Sequence, residues 1–382
     1  MFDPAAGIPI VHPTTSAPHH VFTPPASPTQ KASLMNTSVA PPTRAGIRRT
    51  RRVAGVALAG LTLTALLGLT ACSAVSSAAD DTASGSSGSD SSTAESPFDL
   101  TTANVDGRPR IDPVPEAVEA LKASGFKPIQ AGKFTVAHSA YEPPLGFLAE
   151  DDNTTLLGVE PDIAQLVADG LGLEYTPENV AWADWPLGVE SGKYDAVVSN
   201  VTVTEERKEL FDFAIHRDDV LAFAVKADNE IDSITEAKDV AGLRVVVGSG
   251  TNQEKILLDW FAENEKAGLE PGEPVYYEDN AAAQLALASG RVDAIFGPNP
   301  TAAFAAALTG ESKVVGTLNG GFPLNAQIGV TTKKGNGLAE PVAIVLNSII
   351  ESGVYADALE RWDLSDEAVT ESLVNPPGLP KP

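Results

Sequence analysis

The sequence has little cysteine, histidine and positive charge, and each shortage argues against a class of function. One cysteine in 382 residues rules out an intramolecular disulfide framework and a cysteine-based zinc cluster. Five histidines, three of them within the first twenty residues, leave little for a histidine-built metal site. Lys and Arg number 26 against 51 Asp and Glu, a net charge of −25, which argues against nucleic-acid binding through a generally basic surface.

The few positive charges are concentrated at the front of the chain. Residues 1–71 carry six cations and one acidic residue, so the remainder holds 20 cations and 50 anions, a net charge of −30. Residues 1–43 are rich in Pro, Thr, Ser and Ala, have no apolar periodicity and are predicted to be disordered. The two parts of the chain therefore serve different purposes, and 43% apolar content leaves the second part ample core material.

A basic segment at 48–52 precedes an uncharged apolar run at 53–69. This order is typical of a secretory signal, and either Met1 or Met35 can be its start. A single membrane-spanning helix is the alternative, because such helices need about 20 apolar residues. We expect residues 1–71 to be a disordered leader and signal peptide that exports the remainder.

The lone cysteine, Cys72, stands directly behind this run in Leu69-Thr-Ala-Cys72. The arrangement resembles the lipobox of bacterial lipoproteins, which implies that Cys72 is lipidated and becomes the first residue of the mature protein. Buried lipid methylenes would then hold it to the extracytoplasmic face of the cell membrane. The Ser/Gly/Asp-rich residues 72–97 would form a tether, and ~25 flexible residues typically reach about 25–30 Å.

Helix-like and strand-like segments alternate through the rest of the chain. After a lead-in at 98–132, the alternation predicts a parallel sheet covered by helices on both faces, and residues 366–382 are left as a tail. Apolar runs predict strands at 134–137, 195–199, 221–225, 243–247 and 292–296. Apolar periodicity and end signals predict helices at 116–124, 161–171, 251–264, 281–289, 340–352 and 354–362.

Two segments about a hundred residues apart, 187–198 and 285–296, are alike. In each, a helix end is followed by Ser-Gly, a basic residue, and an Asp-Ala pair that opens a buried strand. Matching chemistry in both halves suggests two lobes of similar α/β build. Open α/β sheets bind ligands at the carboxyl ends of their strands, so a ligand is expected between the lobes.

The order and spacing of five motifs resemble family 3 of the bacterial extracellular solute-binding proteins, the amino-acid receptors of ABC importers. The resemblance implies a type II periplasmic-binding-protein-like fold, in which two crossing strands join lobe 1 (133–223 plus 323–365) to lobe 2 (224–322). It also implies an ABC permease as partner, no cofactor and no enzymatic activity. The motifs are Gly158-Val-Glu-Pro-Asp162, Ser191-Gly-Lys-Tyr-Asp-Ala-Val-Val-Ser199, Thr202-Val-Thr-Glu-Glu-Arg207-Lys, Gly248-Ser-Gly-Thr251 and Gly290-Arg-Val-Asp293-Ala.

The resemblance also implies a ligand site. The charged residues around Arg207, taken alone, favour a solvent-exposed helix face, but the family arginine at this position binds the ligand carboxylate. A planar, permanently charged guanidinium suits that role. Tyr141 and Trp182, which could equally be core residues, match the aromatic walls of the family site. The remaining expected ligand-binding residues are Ser199, Asn200, Thr202, Thr251 at a helix start, and Asn299.

One position departs from the family pattern. Where typical receptors carry an Asp that neutralises the ligand's α-ammonium, this sequence has Pro298. Either Asn299, Glu142 or Asp184 takes that role, or the ligand has no ordinary α-ammonium. His138 stands where some receptors for basic amino acids have an acid, which weakens the case for lysine or arginine.

The expected function is therefore capture of a small carboxylate-bearing solute, such as a polar amino acid or a derivative, for an importer. The alternative is a dehydratase-like enzyme on the same scaffold, with Glu142 or His138 as its acid/base group. A sensor subunit, the third alternative, would normally carry a signalling domain.

Overall fold

Two five-stranded sheets and a short β-ribbon frame the protein in this computed structural model, which describes residues 96–277 and 279–381. The predicted leader, Cys72 and all but the last two residues of the tether lie outside the described residues. The strands are β1 (Lys133–His138), β2 (Phe147–Leu148), β3 (Leu156–Leu157), β4 (Glu174–Asn179), β5 (Ala196–Val197), β6 (Phe211–Asp218), β7 (Val220–Lys226), β8 (Arg244–Val246), β9 (Glu273–Val275), β10 (Ala294–Pro298), β11 (Ser312–Asn319) and β12 (Gln327–Lys333). The helices are α1 (Pro115–Ser124), α2 (Val159–Leu171), α3 (Trp185–Ser191), α4 (Asn252–Lys266), α5 (Asn280–Ala288), α6 (Asn299–Thr309), α7 (Ala339–Ser352) and α8 (Val354–Glu360).

Each sheet is the centre of one lobe. The sheet of lobe 1 has the strand order β4-β1-β5-β12-β6, and the sheet of lobe 2 has the order β11-β7-β10-β8-β9. Separate apolar cores surround them: Phe134, Ile163 and Trp362 belong to one in lobe 1, and Phe223 and Trp260 to the main one in lobe 2. The expectation of two α/β lobes is therefore confirmed.

The sheets are mixed, so the prediction of parallel sheets was wrong. β1 runs parallel to β4 and β5, and β8 runs parallel to β9 and β10. β12 is antiparallel to β5 and β6, and β7 is antiparallel to β10 and β11. The reason is that β7 and β12 enter their sheets after crossing from the other lobe. They start at the edge where the neighbouring strands end.

The chain crosses between the sheets at Asp219, which joins β6 to β7, and at residues 320–326, which join β11 to β12. Residues 220–223 were expected in lobe 1, but Leu221 pairs with Pro298 and Phe223 with Phe296 in the sheet of lobe 2. By strand pairing, the first part of lobe 1 ends before residue 220 and not at 223 as expected, because β7 forms its hydrogen bonds with strands of the lobe 2 sheet.

Helix α2 shows how local sequence sets the elements that cover lobe 1. Its buried face includes Ile163 and Leu166, and it ends at Gly172, whose φ of 70° suits the left-handed end of a helix. The absence of a side chain at Gly170 lets α7 approach, since a Cβ there would lie 2.4 Å from Val345.

Among the described residues, no single helix is long and apolar enough to cross a bilayer. Helices α7 and α8 together have the required length and apolar composition, but they are bent by 83° relative to each other.

The segments before and after the two lobes are packed onto them. In the lead-in, the Phe98 ring lies 5.2 Å from the Trp362 ring of lobe 1 and 5.6 Å from the Phe304 ring of lobe 2. In the C-terminal tail, Leu379 forms a bridge with Thr204: the Leu379 N–H donates to the Val203 carbonyl at 3.1 Å, and the Glu205 N–H donates to the Leu379 carbonyl at 2.8 Å. The tail therefore lies beside the loop that carries the expected ligand residues.

Candidate functional site

Arg207 lies in the loop after β5 and reaches from lobe 1 to lobe 2. Its Nη1 donates to the Thr202 carbonyl at 2.9 Å, and its Nη2 donates to the Gly250 carbonyl at 3.2 Å. Burial lowers the pKa of the Arg207 guanidinium to about 10, so the group is still a cation at neutral pH. Because a guanidinium has five N–H donors, it can hold these contacts and still offer donors to a ligand.

Two tryptophans flank this guanidinium. The Arg207 guanidinium carbon lies 5.7 Å from the Trp182 ring centre and 6.0 Å from that of Trp185, within the range of cation–π attraction. Trp185 is 2% exposed and packs 5.0 Å from the Phe211 ring, so it belongs to the core, as the sequence suggested. Trp182 is half-buried, and its role as a ligand wall stays a prediction.

The turn from Gly248 to Thr251 forms the lobe 2 side of this contact. Gly250 has a φ of +73°, which favours glycine, and a Cβ there would lie 3.9 Å from the Trp182 indole nitrogen. The Thr251 hydroxyl donates to the Gly248 carbonyl at 2.6 Å and accepts from the Glu254 N–H at 3.2 Å. The Glu254 carboxylate accepts from the Gly250 N–H at 2.6 Å. Thr251 thus caps α4, and an internal carboxylate already occupies this helix start.

A buried polar cluster joins the first crossing point to the start of α4. The Thr202 hydroxyl donates to Asp219 at 2.7 Å, and the Asn252 amide nitrogen donates to the same carboxylate oxygen at 3.0 Å. Asp219 is 2% exposed, and burial raises its pKa. The sequence analysis missed both Asp219 and Asn252. An acidic residue between two apolar strand runs was the signal that could have identified Asp219.

Ser199 and Asn200 face the interior of lobe 1. The Ser199 hydroxyl oxygen accepts from the Ser139 N–H at 2.7 Å, which ties the loop after β1 to the loop after β5. The Asn200 amide oxygen accepts from Arg217. Both residues were expected to bind ligand, and that role stays a prediction. Their side-chain oxygens make these internal contacts because the residues follow a buried strand and meet buried donors.

Arg217 is the centre of a fully buried ion cluster in lobe 1. Its side chain is 1% exposed and pairs with Glu160 at 3.1 Å and with Glu367 of the C-terminal tail, whose side chains are 2% and 5% exposed. The adjacent His216 lies 3.8 Å from Glu160, and burial lowers the pKa of His216 to about 4. The cluster therefore holds one cation between two carboxylates, beside a neutral imidazole.

The loop after β1 meets lobe 2 at the carboxyl end of β10. Tyr141 is 49% exposed, and it lines a narrow space with Glu142 and Pro298. Asn299 is half-buried and begins α6 directly after Pro298. Next to this space lies a cavity of about 140 Å³, lined by Glu142, Gln284, Leu287, Ala288, Phe304, Ala305, Leu308, Thr309, Glu311 and Ser312.

Burial sets the protonation of the acidic and imidazole groups near this loop. It raises the pKa of Glu142 to about 8, and a hydrogen bond from Gln284 opposes that rise. His138 is 1% exposed, contacts the Tyr175 hydroxyl at 2.6 Å, and has its pKa lowered to about 4 by burial. His138 is therefore a neutral interior residue, not the cleft-lining group considered from sequence. Asp184 is exposed.

The structure brings the expected residues together in two neighbouring groups. Trp182, Thr202 and Arg207 meet the turn after β8, while Tyr141 meets the end of β10. β8 and β10 are adjacent parallel strands, so both groups face the same edge of the lobe 2 sheet. Within residues 96–277 and 279–381, no group of three His, Cys, Asp or Glu side chains is placed to hold a metal ion. The arrangement suits reversible capture of a small polar solute between the lobes.

Comparison with known proteins agrees with this geometry. Residues 134–365 match the family described as bacterial extracellular solute-binding proteins, family 3. The chain is 29% identical over 276 residues to the arginine-binding protein ArgT of Corynebacterium glutamicum, covering 71% of this chain and 87% of that protein. It is 28% identical over 235 residues to the L-cystine-binding protein TcyJ of Escherichia coli K12, covering 61% and 83%. A solved ancestral arginine-binding protein bound to arginine is 29% identical, with a TM-score of 0.53 over 60% of this chain and 98% of that one. The chain therefore belongs to family 3 of the bacterial extracellular solute-binding proteins.

Proposed function

We propose that this protein is the substrate-binding component of an ABC importer and that it captures an amino acid between its lobes. The observation that carries the proposal is the Arg207 guanidinium, held against the Trp182 ring in lobe 1 and bonded to the Gly250 carbonyl of lobe 2. This cation contacts both lobes and is held in place by backbone carbonyls, so it is suited to bind the carboxylate of a solute that enters between the lobes. Relatives named as arginine- and cystine-binding proteins support an amino acid as the solute.

Closure of the cleft is proposed to act through the two crossing segments. We set the lobe boundaries at Asp219 and at residues 320–326, where the chain leaves one sheet for the other. Asn252 of lobe 2 hydrogen-bonds to Asp219, and this bond supports the arrangement in which the lobes touch. Ligand that contacts both lobes would favour this arrangement by its greater affinity for it. The closed form would then deliver the solute to a membrane permease.

Lipid attachment at Cys72 is proposed to hold the protein at the extracytoplasmic face of the membrane. The basic segment, the apolar run and the small residues before Cys72 support this anchor. The polar tether after it would let the lobes reach a permease without being fixed to the bilayer.

Isothermal titration calorimetry of the purified protein with arginine, cystine and glutamine tests the proposed site. At least one amino acid is expected to bind, and Arg207→Ala is expected to weaken it at least tenfold, because a hydrogen bond to a charged group contributes ~1.5–3 kcal/mol. Arg291→Ala, which removes an exposed arginine after α5, is the matched control and should bind normally. Normal binding by Arg207→Ala would refute the site.

An enzyme acting on a small carboxylate is the competing function. Burial raises the pKa of Glu142, which a general acid would also need. Prolonged incubation separates the two: a receptor returns its amino acid unchanged, whereas steady loss of the amino acid with product formation would identify an enzyme.

A further inference from the structure

The C-terminal tail, described over residues 366–381, adds an edge to strand β6 of lobe 1. Within it, Val374 forms an antiparallel bridge with Ala214 of β6. The tail begins after residue 365, where the match to the family ends, so family membership assigns it no role. Antiparallel pairing directs the tail toward the start of β6, and therefore toward the loop between β5 and β6 that carries Arg207.

The backbone of Leu379 lies beside the segment that precedes Arg207. The Leu379 N–H donates to the Val203 carbonyl at 3.1 Å, and the Glu205 N–H donates to the Leu379 carbonyl at 2.8 Å. On the other side of this segment, the Val203 N–H donates to the Gln327 carbonyl of β12 at 2.8 Å. The residues before Arg207 therefore lie between β12 and the tail, and backbone hydrogen bonds hold them on both sides.

Side chains on both sides of Arg207 also hold the tail. The Lys208 ammonium donates to the Pro376 carbonyl at 2.9 Å, and the Gly378 N–H donates to the Glu205 carboxylate at 2.8 Å. Glu205 and Lys208 pair with each other at 2.9 Å. The tail thus contacts the chain before and after Arg207, which limits the movement of this loop.

The Leu379 side chain packs beside the second crossing segment, residues 320–326. It is half-buried, and a Cβ added at Gly321 would overlap it. One residue of the tail therefore contacts both the Arg207 loop and a segment where the chain crosses between the lobes.

The segment that Leu379 holds supplies contacts that orient the guanidinium. Arg207 Nη1 donates to the Thr202 carbonyl at 2.9 Å, and the Arg207 backbone N–H donates to the Thr204 hydroxyl at 3.0 Å. Both acceptors adjoin Val203, whose carbonyl accepts from the Leu379 N–H. A guanidinium pairs with a carboxylate through two parallel N–H donors, so the strength of the pair depends on orientation. Displacement of this backbone would turn the guanidinium away from a carboxylate in the cleft.

We propose that Leu379 is a positioning residue, which orients the Arg207 guanidinium for the carboxylate of the solute. It acts through the backbone of residues 202–205 and not by contact with the solute. The inference rests on the proposed function and deepens it, because it makes part of the C-terminal tail a determinant of ligand affinity.

Calorimetric titration of Leu379→Pro with arginine, glutamine and cystine tests the proposal. Proline has no backbone N–H, so the hydrogen bond to the Val203 carbonyl is lost. A misplaced guanidinium loses the equivalent of one net hydrogen bond to the carboxylate, which predicts about 2- to 12-fold weaker binding of the amino acid that the wild type binds. Leu379→Met keeps the N–H and an apolar side chain, so it should restore wild-type affinity. Wild-type affinity of Leu379→Pro would refute the proposal.

Leu373→Pro is the matched control, because it makes the same substitution in the part of the tail beside β6. Leu373 is 44% exposed, and its carbonyl, which proline retains, accepts from the Ile215 N–H at 3.1 Å. The control should therefore bind with wild-type affinity. Equal losses in the two proline variants would mean that general damage to the tail is the cause, and the role of Leu379 would be refuted.

Energetic coupling between Leu379 and Arg207 gives a readout that a merely structural residue would not change. Arg207→Ala has no guanidinium to orient, so the addition of Leu379→Pro should weaken binding no further. The same fold loss in both backgrounds would show that Leu379 acts independently of Arg207, which contradicts the proposal.

Gly378→Ala carries the test if Leu379→Pro folds poorly, which thermal melting would reveal. A Cβ at Gly378 would lie 2.9 Å from the Val203 carbonyl oxygen, so alanine pushes the tail away from the same segment. Gly378→Ala should also bind the amino acid more weakly, and only when Arg207 is present. Wild-type affinity of this variant would refute the proposal independently of the proline variant.

The outcomes separate this inference from the function beneath it. If Arg207→Ala loses binding while Leu379→Pro and Gly378→Ala keep wild-type affinity, the role of Leu379 is refuted and the cleft site stands. If Arg207→Ala binds normally, or if the wild type binds none of the three amino acids, the proposed function falls and this inference falls with it.

Discussion

Replacing Arg217 with methionine is expected to destabilise the protein far more than a matched change at the surface. Arg217→Met leaves the buried carboxylates of Glu160 and Glu367 without their cation. Breaking a buried ion pair in this way typically costs ~3–5 kcal/mol. At ~2–4 °C per kcal/mol for domains of about 200 residues, the melting temperature should fall by about 10 °C.

Arg244→Met is the control, because Arg244 also makes a two-point contact with a carboxylate, Asp293, but at the surface. The two side chains are 41% and 30% exposed, and screening by solvent weakens an exposed pair of this kind. Urea denaturation of both variants at pH 7 gives the two free-energy losses. Equal losses, or a loss below ~1 kcal/mol for Arg217→Met, would refute the reasoning.

The loss of unfolding free energy caused by Arg217→Met should depend on pH, which provides a separate check that unpaired charge is its cause. Burial raises the pKa of Glu367 to about 7 and Arg217 opposes that rise, so without Arg217 the pKa of Glu367 in the folded protein should lie still further above the value in the unfolded chain. The loss should therefore be largest at neutral pH and should shrink as the pH falls toward ~4, where carboxyls are protonated in both states. A loss that stays constant between pH 4 and 7 would mean that unpaired charge is not its cause.

Three further predictions follow from the site and the leader. Burial raises the pKa of Glu142 from 4.5 to about 8, so the free energy of unfolding of the wild type should fall as the pH rises between these values. Glu142→Gln should remove this part of the pH dependence, measured by urea denaturation at a series of pH values. If the free energies of unfolding of the two proteins change with pH in the same way, the prediction is refuted. Asn252→Ala removes the amide that donates to Asp219, the bond proposed to support the arrangement in which the lobes touch. A net hydrogen bond contributes ~0.5–1.5 kcal/mol, so calorimetry should show about 2- to 12-fold weaker ligand binding. Unchanged affinity would exclude a role of Asn252 in closure. Cys72→Ser should move the protein from the membrane fraction to the soluble fraction of disrupted cells; an unchanged distribution would exclude the lipid anchor.

The fold was predictable from sequence where one segment carries its own signal. The helix predicted at 161–171 is observed as α2, because its apolar spacing and terminal glycine act locally. The direction of β7 and β12 was not predictable from alternation of helices and strands, since it depends on where the chain crosses between sheets.

The candidate site could be proposed from the sequence by its types of residue, but its internal contacts could not be. Arg207 follows from the family motif, whereas its bond to Gly250 depends on how the lobes meet. Asn200 lies in the expected loop, yet its amide oxygen accepts from Arg217, about which the local sequence gives no information. Pairing between residues distant in sequence is decided by packing, and a single sequence does not encode it in any local pattern.

The position of the C-terminal tail allows a reporter group to be placed close to the cleft but outside the proposed ligand site. Leu379 is bridged to Thr204, and Thr204 lies between the residues that support and carry the Arg207 guanidinium. A fluorophore attached at position 381 would therefore sit two residues from this backbone connection while leaving the solute's own contacts untouched. Since the sequence holds one cysteine, replacing Cys72 with serine and Lys381 with cysteine would give a single labelling position for a sensor of amino acids.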